Sequence, residues 1–282
     1  KELYGFERAY GSYEELLEDP EIEAVYIPLP NTMHYEWTIK ALRCGKHVLC
    51  EKPLAPSAGQ AREMFQAARE NHVCLMEAFA YQHSPYNREI RKVIEEGAIG
   101  ELRYAEAALI TSDYELSNIR MRKETLGGCT YDLGVYALSF LQRMIGTEPE
   151  RIRAAGSFSE EGIDTFTTGI LEYPGGIKAH FDCGMVLETE KNSSLDRFQI
   201  HGSKGSITSV QFGFNAPGTL SYRLRTFDGL DEVRNVEVPN NYCLEVEQLG
   251  RCVCGEEEPY LTEEFSVSLA KTVDQVLKEI GY

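Results

Sequence analysis

The chain has 282 residues, 43% of them apolar and 26% charged. That is enough apolar material for two packed domains and too much for a disordered tail. Its 28 basic and 45 acidic residues leave a formal charge of −17, which repels phosphate backbones and anionic bilayers and argues against nucleic acid or a membrane surface as partner.

No apolar run approaches the ~20 residues of a membrane helix. The eight cysteines show no C-x-x-C pair and no metal-like spacing, so buried, reduced thiols in a cytoplasmic protein are expected, with no metal. Asn192-Ser193-Ser194 fits the glycosylation pattern, but carries no weight without a secretory signal.

In chain order, residues 1–10 read as the end of a helix already under way, so further chain is expected before Lys1. Ala24–Leu29, His47–Cys50 and Val73–Met76 are apolar runs of buried-strand length. Between them, Trp37, Ala41 and Leu42 predict a helix over 32–44 ended by Gly45. Ala58, Ala61, Met64, Phe65 and Ala68 predict another over 57–70, with Ser57 as its N-cap. Strands alternating with helices through short loops indicate a parallel sheet covered by helices.

Beyond residue 80 the pattern changes. A helix is expected over 85–96, stopped by Gly97, then a strand over 101–111 and a long apolar helix over 126–145. Strand-like stretches follow at 152–158, 165–173, 177–185, 197–201, 206–212, 220–226 and 233–238, separated by turn signals such as Pro174-Gly175-Gly176 and Asp228-Gly229. Gly202-Ser203-Lys204-Gly205-Ser206 looks like a phosphate cradle, but its place between two strands makes it a hairpin turn. Helices over 245–254 and 263–280 close the chain. The expected fold is an α/β parallel-sheet domain over residues 1–79, then an α+β domain over 80–282 with a large open, mainly antiparallel sheet.

A ligand crevice is expected outside the carboxyl ends of the parallel strands, where three segments fall. Pro30-Asn31-Thr32-Met33-His34 either lines a ligand or is a plain turn capped by Asn31. In Glu51-Lys52-Pro53, a lysine at a buried strand end has to be desolvated or paired. There it can polarise a hydroxyl or carbonyl oxygen, unless it simply pairs with Glu51. Glu77, in Met76-Glu77-Ala78-Phe79, either contacts a ligand, pairs with Lys52 or sits at a solvated strand end.

Gly127-Gly128-Cys129 then leads into Tyr131-Asp132-Leu133-Gly134-Val135-Tyr136. Asp132 and Tyr136, four apart, share a helix face suited to proton transfer. A phenol with a pKa near ~10 needs a cation to act as a base at neutral pH, and Lys52 is the candidate. The plainer alternative is a buried Tyr136 hydroxyl satisfied by Asp132. No G-x-S-x-G elbow, P-loop, H-E-x-x-H or EF-hand pattern is present.

Taken together, Ile27-Pro28-Leu29-Pro30-Asn31-Thr32-Met33-His34, Gly45-Lys46-His47-Val48-Leu49-Cys50-Glu51-Lys52-Pro53 and Met76-Glu77-Ala78-Phe79 resemble the Gfo/Idh/MocA family of NAD(P)-dependent oxidoreductases. Asn118-Ile119-Arg120, Gly127-Gly128 and Asp132-Leu133-Gly134-Val135-Tyr136 are similar to its branch of glucose–fructose oxidoreductase, NADP-dependent xylose dehydrogenase and dimeric dihydrodiol dehydrogenase. The resemblance implies a Rossmann-like first domain and a second domain whose open sheet pairs subunits into a homodimer. It implies hydride transfer between NADP, with NAD as the alternative, and a small-molecule sugar, polyol or diol.

It also implies roles. Lys52 would touch the nicotinamide side and the reacting oxygen, Tyr136 would move the proton, and Asp132 would position substrate. Pro30, Asn31, His34, Glu51 and Glu77 would line the nicotinamide end. A trans-dihydrodiol dehydrogenase and a catalytically inactive, dimerising ligand-binding member are the alternatives. Two positions depart from the family pattern: Gln82 stands where an arginine is common, and Cys129 replaces a third glycine. The family's first strand, its G-x-G-x-x-G turn and its second strand are expected before Lys1.

Overall fold

β1 (Ala24–Ile27), β2 (His47–Glu51) and β3 (Leu75–Ala78) pair in parallel in that order, Val25 beside Val48 and Leu49 beside Met76. The computed structural model describes residues 5–112, 114–187 and 194–282. The glycosylation-like Asn192-Ser193 and the first four residues of the expected opening helix lie outside them. Residues 5–10 are not helical. The first helix is instead α1 (Tyr13–Glu18), begun by Ser12 accepting from the Glu15 N–H. Six residues with only Leu17 buried are too few to leave a periodic signal.

α2 (Asn31–Arg43) and α3 (Ala58–Glu70) flank the parallel strands, and Ser57 caps α3 as expected. β3 starts two residues later than its apolar run, because the Val73 N–H is taken by the Ala68 carbonyl in the turn that ends α3.

α4 (Pro85–Glu95) leads into the second sheet. Its strands are β4 (Leu102–Thr111), β5 (Arg151–Phe158), β6 (Asp164–Glu172), β7 (Lys178–Met185), β8 (Ser194–Gly202), β9 (Gly205–Gln211), β10 (Gly218–Thr226) and β11 (Asp231–Val238). They lie in the order β11-β10-β9-β8-β4-β7-β6-β5, antiparallel throughout except for β4 with β7. Residues 202–205 form the hairpin turn between β8 and β9, not a phosphate cradle.

α5 (Val135–Ile145) covers one face, where Phe140 and Phe198 rings pack 4.7 Å apart and Phe198 and Phe212 5.0 Å apart. α5 is shorter than its apolar stretch. Leu126 and Gly128 carry positive φ, and residues 130–134 form a π-helical turn ahead of it.

α6 (Asn241–Val253), capped by Asn240, starts four residues before its expected place. With α7 (Glu263–Ile280) it turns back to the first domain. Leu249 packs with Leu49 and Met76, and Val267 and Ala270 join the core under the parallel sheet. The opposite face of the large sheet carries Ile170, Val210 and Val233, each about half exposed. No helix among the described residues is long and apolar enough to cross a membrane. Of the eight thiols, all free, only Cys50, Cys129 and Cys183 are buried, fewer than expected.

Candidate active site

The ends of β1 and β2 open on a cleft of about 600 Å³ whose far wall is built from the second domain. Its centre is a three-residue cluster. Lys52 Nζ donates to the Asp132 backbone oxygen at 2.6 Å and to Asp132 Oδ1 at 3.0 Å. The same ammonium lies 4.6 Å from the centroid of the Tyr136 ring. Burial penalises the Lys52 charge, but Asp132 and Tyr136 outweigh it and hold the amine above its ordinary pKa. Burial penalises Asp132 too. Lys52, and Arg120 at 2.8 Å from Asp132 Oδ2, outweigh that and keep the carboxylate ionised below its usual range. The Tyr114 hydroxyl also donates to Oδ2, at 3.2 Å.

The chain reaches this geometry through the double glycine. A Cβ on Gly127 would stand 2.4 Å from the Arg120 carbonyl oxygen, and one on Gly128 would stand 2.0 Å from Asp164 Oδ1. Only glycine lets the 118–128 loop close onto the turn that carries Asp132. Asp164 then pins that turn, accepting from the Thr130 N–H at 2.9 Å and the Thr130 hydroxyl at 2.6 Å. The turn's π-helical winding is of a kind that recurs at functional sites.

Tyr136 sits in the first turn of α5, in ring contact with Phe79, Tyr81 and Phe214 at 5.3–5.6 Å. Asn215, from the loop after β9, donates to its hydroxyl oxygen at 3.1 Å. Lys52 and Asn215 both favour the phenolate, as the cation argument anticipates. Burial nevertheless dominates and leaves the phenol above its ordinary pKa. The expected net lowering is therefore not found: a desolvated ring, with the Asp132 charge nearby, outweighs one ammonium. Asp132 does not satisfy the Tyr136 hydroxyl either; Asn215 does.

The remaining sequence candidates divide. Asn31, His34 and Glu51 line the cleft; Pro30 and Glu77 do not. Asn31 Nδ2 donates to the Leu126 carbonyl across the domain boundary at 2.8 Å. The His34 ring lies between the carbonyls of Pro53 and Leu29, 2.8 and 2.7 Å from its two nitrogens. Burial lowers its pKa, and a neutral ring donates to one of them at a time. Glu51 accepts from the Tyr26 hydroxyl. Pro30 begins α2. Glu77 is buried beneath the turn, where it accepts from the Leu54 N–H at 2.9 Å, and it neither pairs with Lys52 nor meets solvent.

Sequence reading missed Asn215, Tyr114 and Tyr242 as cleft residues and gave Arg120 no role. Each comes from a loop or helix far along the chain. The only local signal is Asn118, whose side chain caps the Arg120 N–H at 2.9 Å and fixes that loop.

A parallel α/β domain whose strand-end cleft is closed by an open-sheet domain, with a lysine, an aspartate and a tyrosine in contact across the seam, defines a class of two-domain oxidoreductases. Residues 1–79 match the oxidoreductase family with NAD-binding Rossmann fold and residues 87–208 match the GFO/IDH/MocA C-terminal domain: the chain belongs to the GFO/IDH/MocA oxidoreductase family. It is 32% identical to the trans-1,2-dihydrobenzene-1,2-diol dehydrogenase of Xenopus laevis, over 99% of this chain and 85% of the relative. It is 32% identical to D-xylose 1-dehydrogenase (NADP(+)) 2 of Haloferax volcanii, over 96% and 82%. The crystal structure of a 3-ketoreductase from Actinomadura kijaniata in complex with NADP and TDP-benzene superposes with a TM-score of 0.89 at 29% identity, covering 99% of this chain and 84% of that one.

Proposed function

We propose that the protein transfers a hydride between NADP, with NAD as the alternative, and the carbinol carbon of a sugar, polyol or diol. The observation that carries this reading is the single ammonium of Lys52 in contact with both Asp132 and the Tyr136 ring. The cleft fits the reactive end of a dinucleotide. It lies at the carboxyl ends of parallel strands, has the volume of a small-ligand site, and mixes amide and charged groups (Asn31, Glu51, Lys52) with the apolar surface of Pro28 and Leu29. The bound nicotinamide supplies the hydride acceptor in one direction and the donor in the other.

The protein's own groups handle the oxygen and the proton. Lys52 spends two hydrogen bonds on Asp132, which leaves its third N–H for the substrate oxygen. Asp132, held from the other side by Arg120, keeps that ammonium charged and aimed. Tyr136 gives its proton to the oxygen as a carbonyl becomes an alcohol, and takes it back in the reverse direction. Because burial keeps it a phenol, it is ready to donate to a carbonyl oxygen at neutral pH, whereas the reverse direction needs it deprotonated. A trans-dihydrodiol substrate is the second reading, supported by the apolar wall of Leu109, Ile119, Leu133 and Phe214. The contact of all three polar residues argues against an inactive ligand-binding member.

The test is steady-state turnover of aldoses, inositol and dihydrodiols, and of the corresponding carbonyls, with each nucleotide. Tyr136→Phe is expected to lower kcat by about 10²–10⁴ without loss of nucleotide binding. Unchanged turnover removes Tyr136 from the mechanism. Nucleotide binding without turnover of any substrate supports the inactive reading.

The proposal extends to assembly and location. The half-exposed Ile170, Val210 and Val233 on one sheet face support a homodimer formed through that face. The eight unpaired thiols support the reducing cytoplasm.

A further inference from the structure

A second recess, of about 810 Å³, shares no lining residue with the cleft. It lies where α4 and the end of α5 meet the segment entering α7, and three guanidinium groups line it: Arg88, Arg91 and Arg143. In a chain of net charge −17 such a wall runs against the average, so its partners matter.

Arg91 is satisfied. It pairs with Glu95 at 2.7 Å and donates to the carbonyls of Arg143 and Met144 at 3.2 and 2.8 Å. Arg143 meets no carboxylate among the described residues. Its Nε donates to Gln82 Oε1 at 3.3 Å, its Nη2 reaches the Tyr260 carbonyl only at 3.5 Å, and its plane lies 4.3 Å from the ring centroids of Tyr260 and Phe265. Arg88 also pairs with no carboxylate among the described residues and sits 5.1 Å from the Tyr260 centroid. Ring faces and neutral oxygens compensate the half-buried Arg143 charge weakly, whereas the exposed Arg88 is left to water. Consistent with that, burial draws Arg143 below its ordinary pKa.

His83, only 2% exposed, has no hydrogen-bond partner on either ring nitrogen and lies 5.8 Å from the Tyr260 ring. Burial, then the charges of Arg88, Arg143 and Arg251, push it down to about 4, with no carboxylate opposing them. The acids at the recess do not alter this. Glu95 is committed to Arg91, Glu148 pairs with Lys271 at 2.6 Å, and Glu264 stands at the exposed rim.

We infer that this recess binds a small phosphate-bearing anion, held between Arg88 and Arg143, with the Thr147 and Thr262 hydroxyls as further neighbours. Arg88 and Arg143 lack carboxylate partners, so even after the charge of Glu264 at the rim the lining keeps a positive balance, and a phosphate group offers oxygens to both guanidinium forks at once. The volume exceeds that of one ion, so the shared chemistry covers free phosphate and small phosphomonoesters.

The experiment is calorimetric titration of the protein with inorganic phosphate and, separately, with glycerol phosphate at constant ionic strength. Both are run with and without saturating NADP, and the recess predicts the same result in each because it lies outside the cleft. Saturable binding is expected, with Arg143→Met and Arg88→Met each weakening it roughly tenfold or more. Stronger binding of the ester assigns a phosphorylated metabolite; equal binding assigns the free ion. The His83 ring resonances are expected to move with occupancy while those of His34 stay fixed. Arg88→Met, on an exposed stem, keeps the test valid if Arg143→Met fails to fold. No saturation up to about 10 mM, well beyond the millimolar range of weak specific sites, or an affinity unchanged in both variants, overturns the assignment.

Discussion

At Lys52, one ammonium holds Asp132 through two hydrogen bonds and faces a phenol ring. The carboxylate is in turn shared with Arg120 and Tyr114, so the charge of the cleft is arranged before any ligand arrives. With Tyr136 in its proposed role, its titration is expected to shape the pH behaviour. Burial raises its pKa, while Lys52 and Asn215 oppose the rise. Oxidation of an alcohol needs the phenolate, so its rate is expected to climb with pH above neutrality. Carbonyl reduction needs the phenol and is expected to stay level until the same titration removes the proton. Asn215→Ala deletes a donor to the phenolate oxygen and is expected to move the acid limb of the oxidation profile up by as much as about one pH unit. Profiles of kcat/KM in both directions check this, and an unmoved limb would show that Asn215 does not hold the reacting oxygen.

Among the elements, the turn after β2 is held from below. Glu77 accepts from the Leu54 N–H two residues past Lys52, so a buried carboxylate sets where the lysine begins. Burial pushes its pKa up to about 7. A folded-state value above the unfolded one means that the native protein binds the extra proton. Stability therefore falls as pH rises from about 4.3 to about 7, and the loss is complete above that. Glu77→Gln keeps an oxygen for the Leu54 N–H and sheds the charge. It is expected to raise Tm by several degrees at pH 8, on the order of 2 kcal/mol, and by much less at pH 5. Equal gains at both pH values, read by calorimetry, would refute the charge argument. Glu245, buried and raised to about 8, titrates nearby, but comparison of the variant with its parent isolates Glu77.

For the molecule as a whole, the cleft exists because the two sheets are locked together. Asn31 reaches the Leu126 carbonyl, Lys52 reaches Asp132, and α7 sends Val267 and Ala270 into the core under the parallel sheet. The second domain thereby places Tyr136 against the strand ends of the first. The face of its sheet turned away from α5 carries the half-exposed Ile170, Val210 and Val233. Light scattering at micromolar concentration is expected to give twice the mass of a single chain, and Val210→Glu, which puts a charge on the exposed apolar face, is expected to shift the population towards monomer. A monomeric parent protein would sink the homodimer.

Local pattern carried much of this. Apolar runs and helical spacing located the parallel strands, the Ser57-capped α3 and the strand meander, because burial on one face imprints a period on neighbouring residues. Lys52, Asp132 and Tyr136 were legible for a related reason: a cation at an apolar strand end, and polar groups on an apolar helix face, are locally anomalous. Beyond the pairing of Lys52 with Tyr136, which residue chemistry suggested, sequence did not convey the contacts made across long separations. Lys52 and Asp132 meet over 80 residues and Tyr136 and Asn215 over 79. The same holds for the turn that shortens α5, for the burial of Glu77 away from the cleft, and for the pKa balance at Tyr136. Those depend on which surfaces pack together and how much water they exclude, and that is decided only when both sheets are in place.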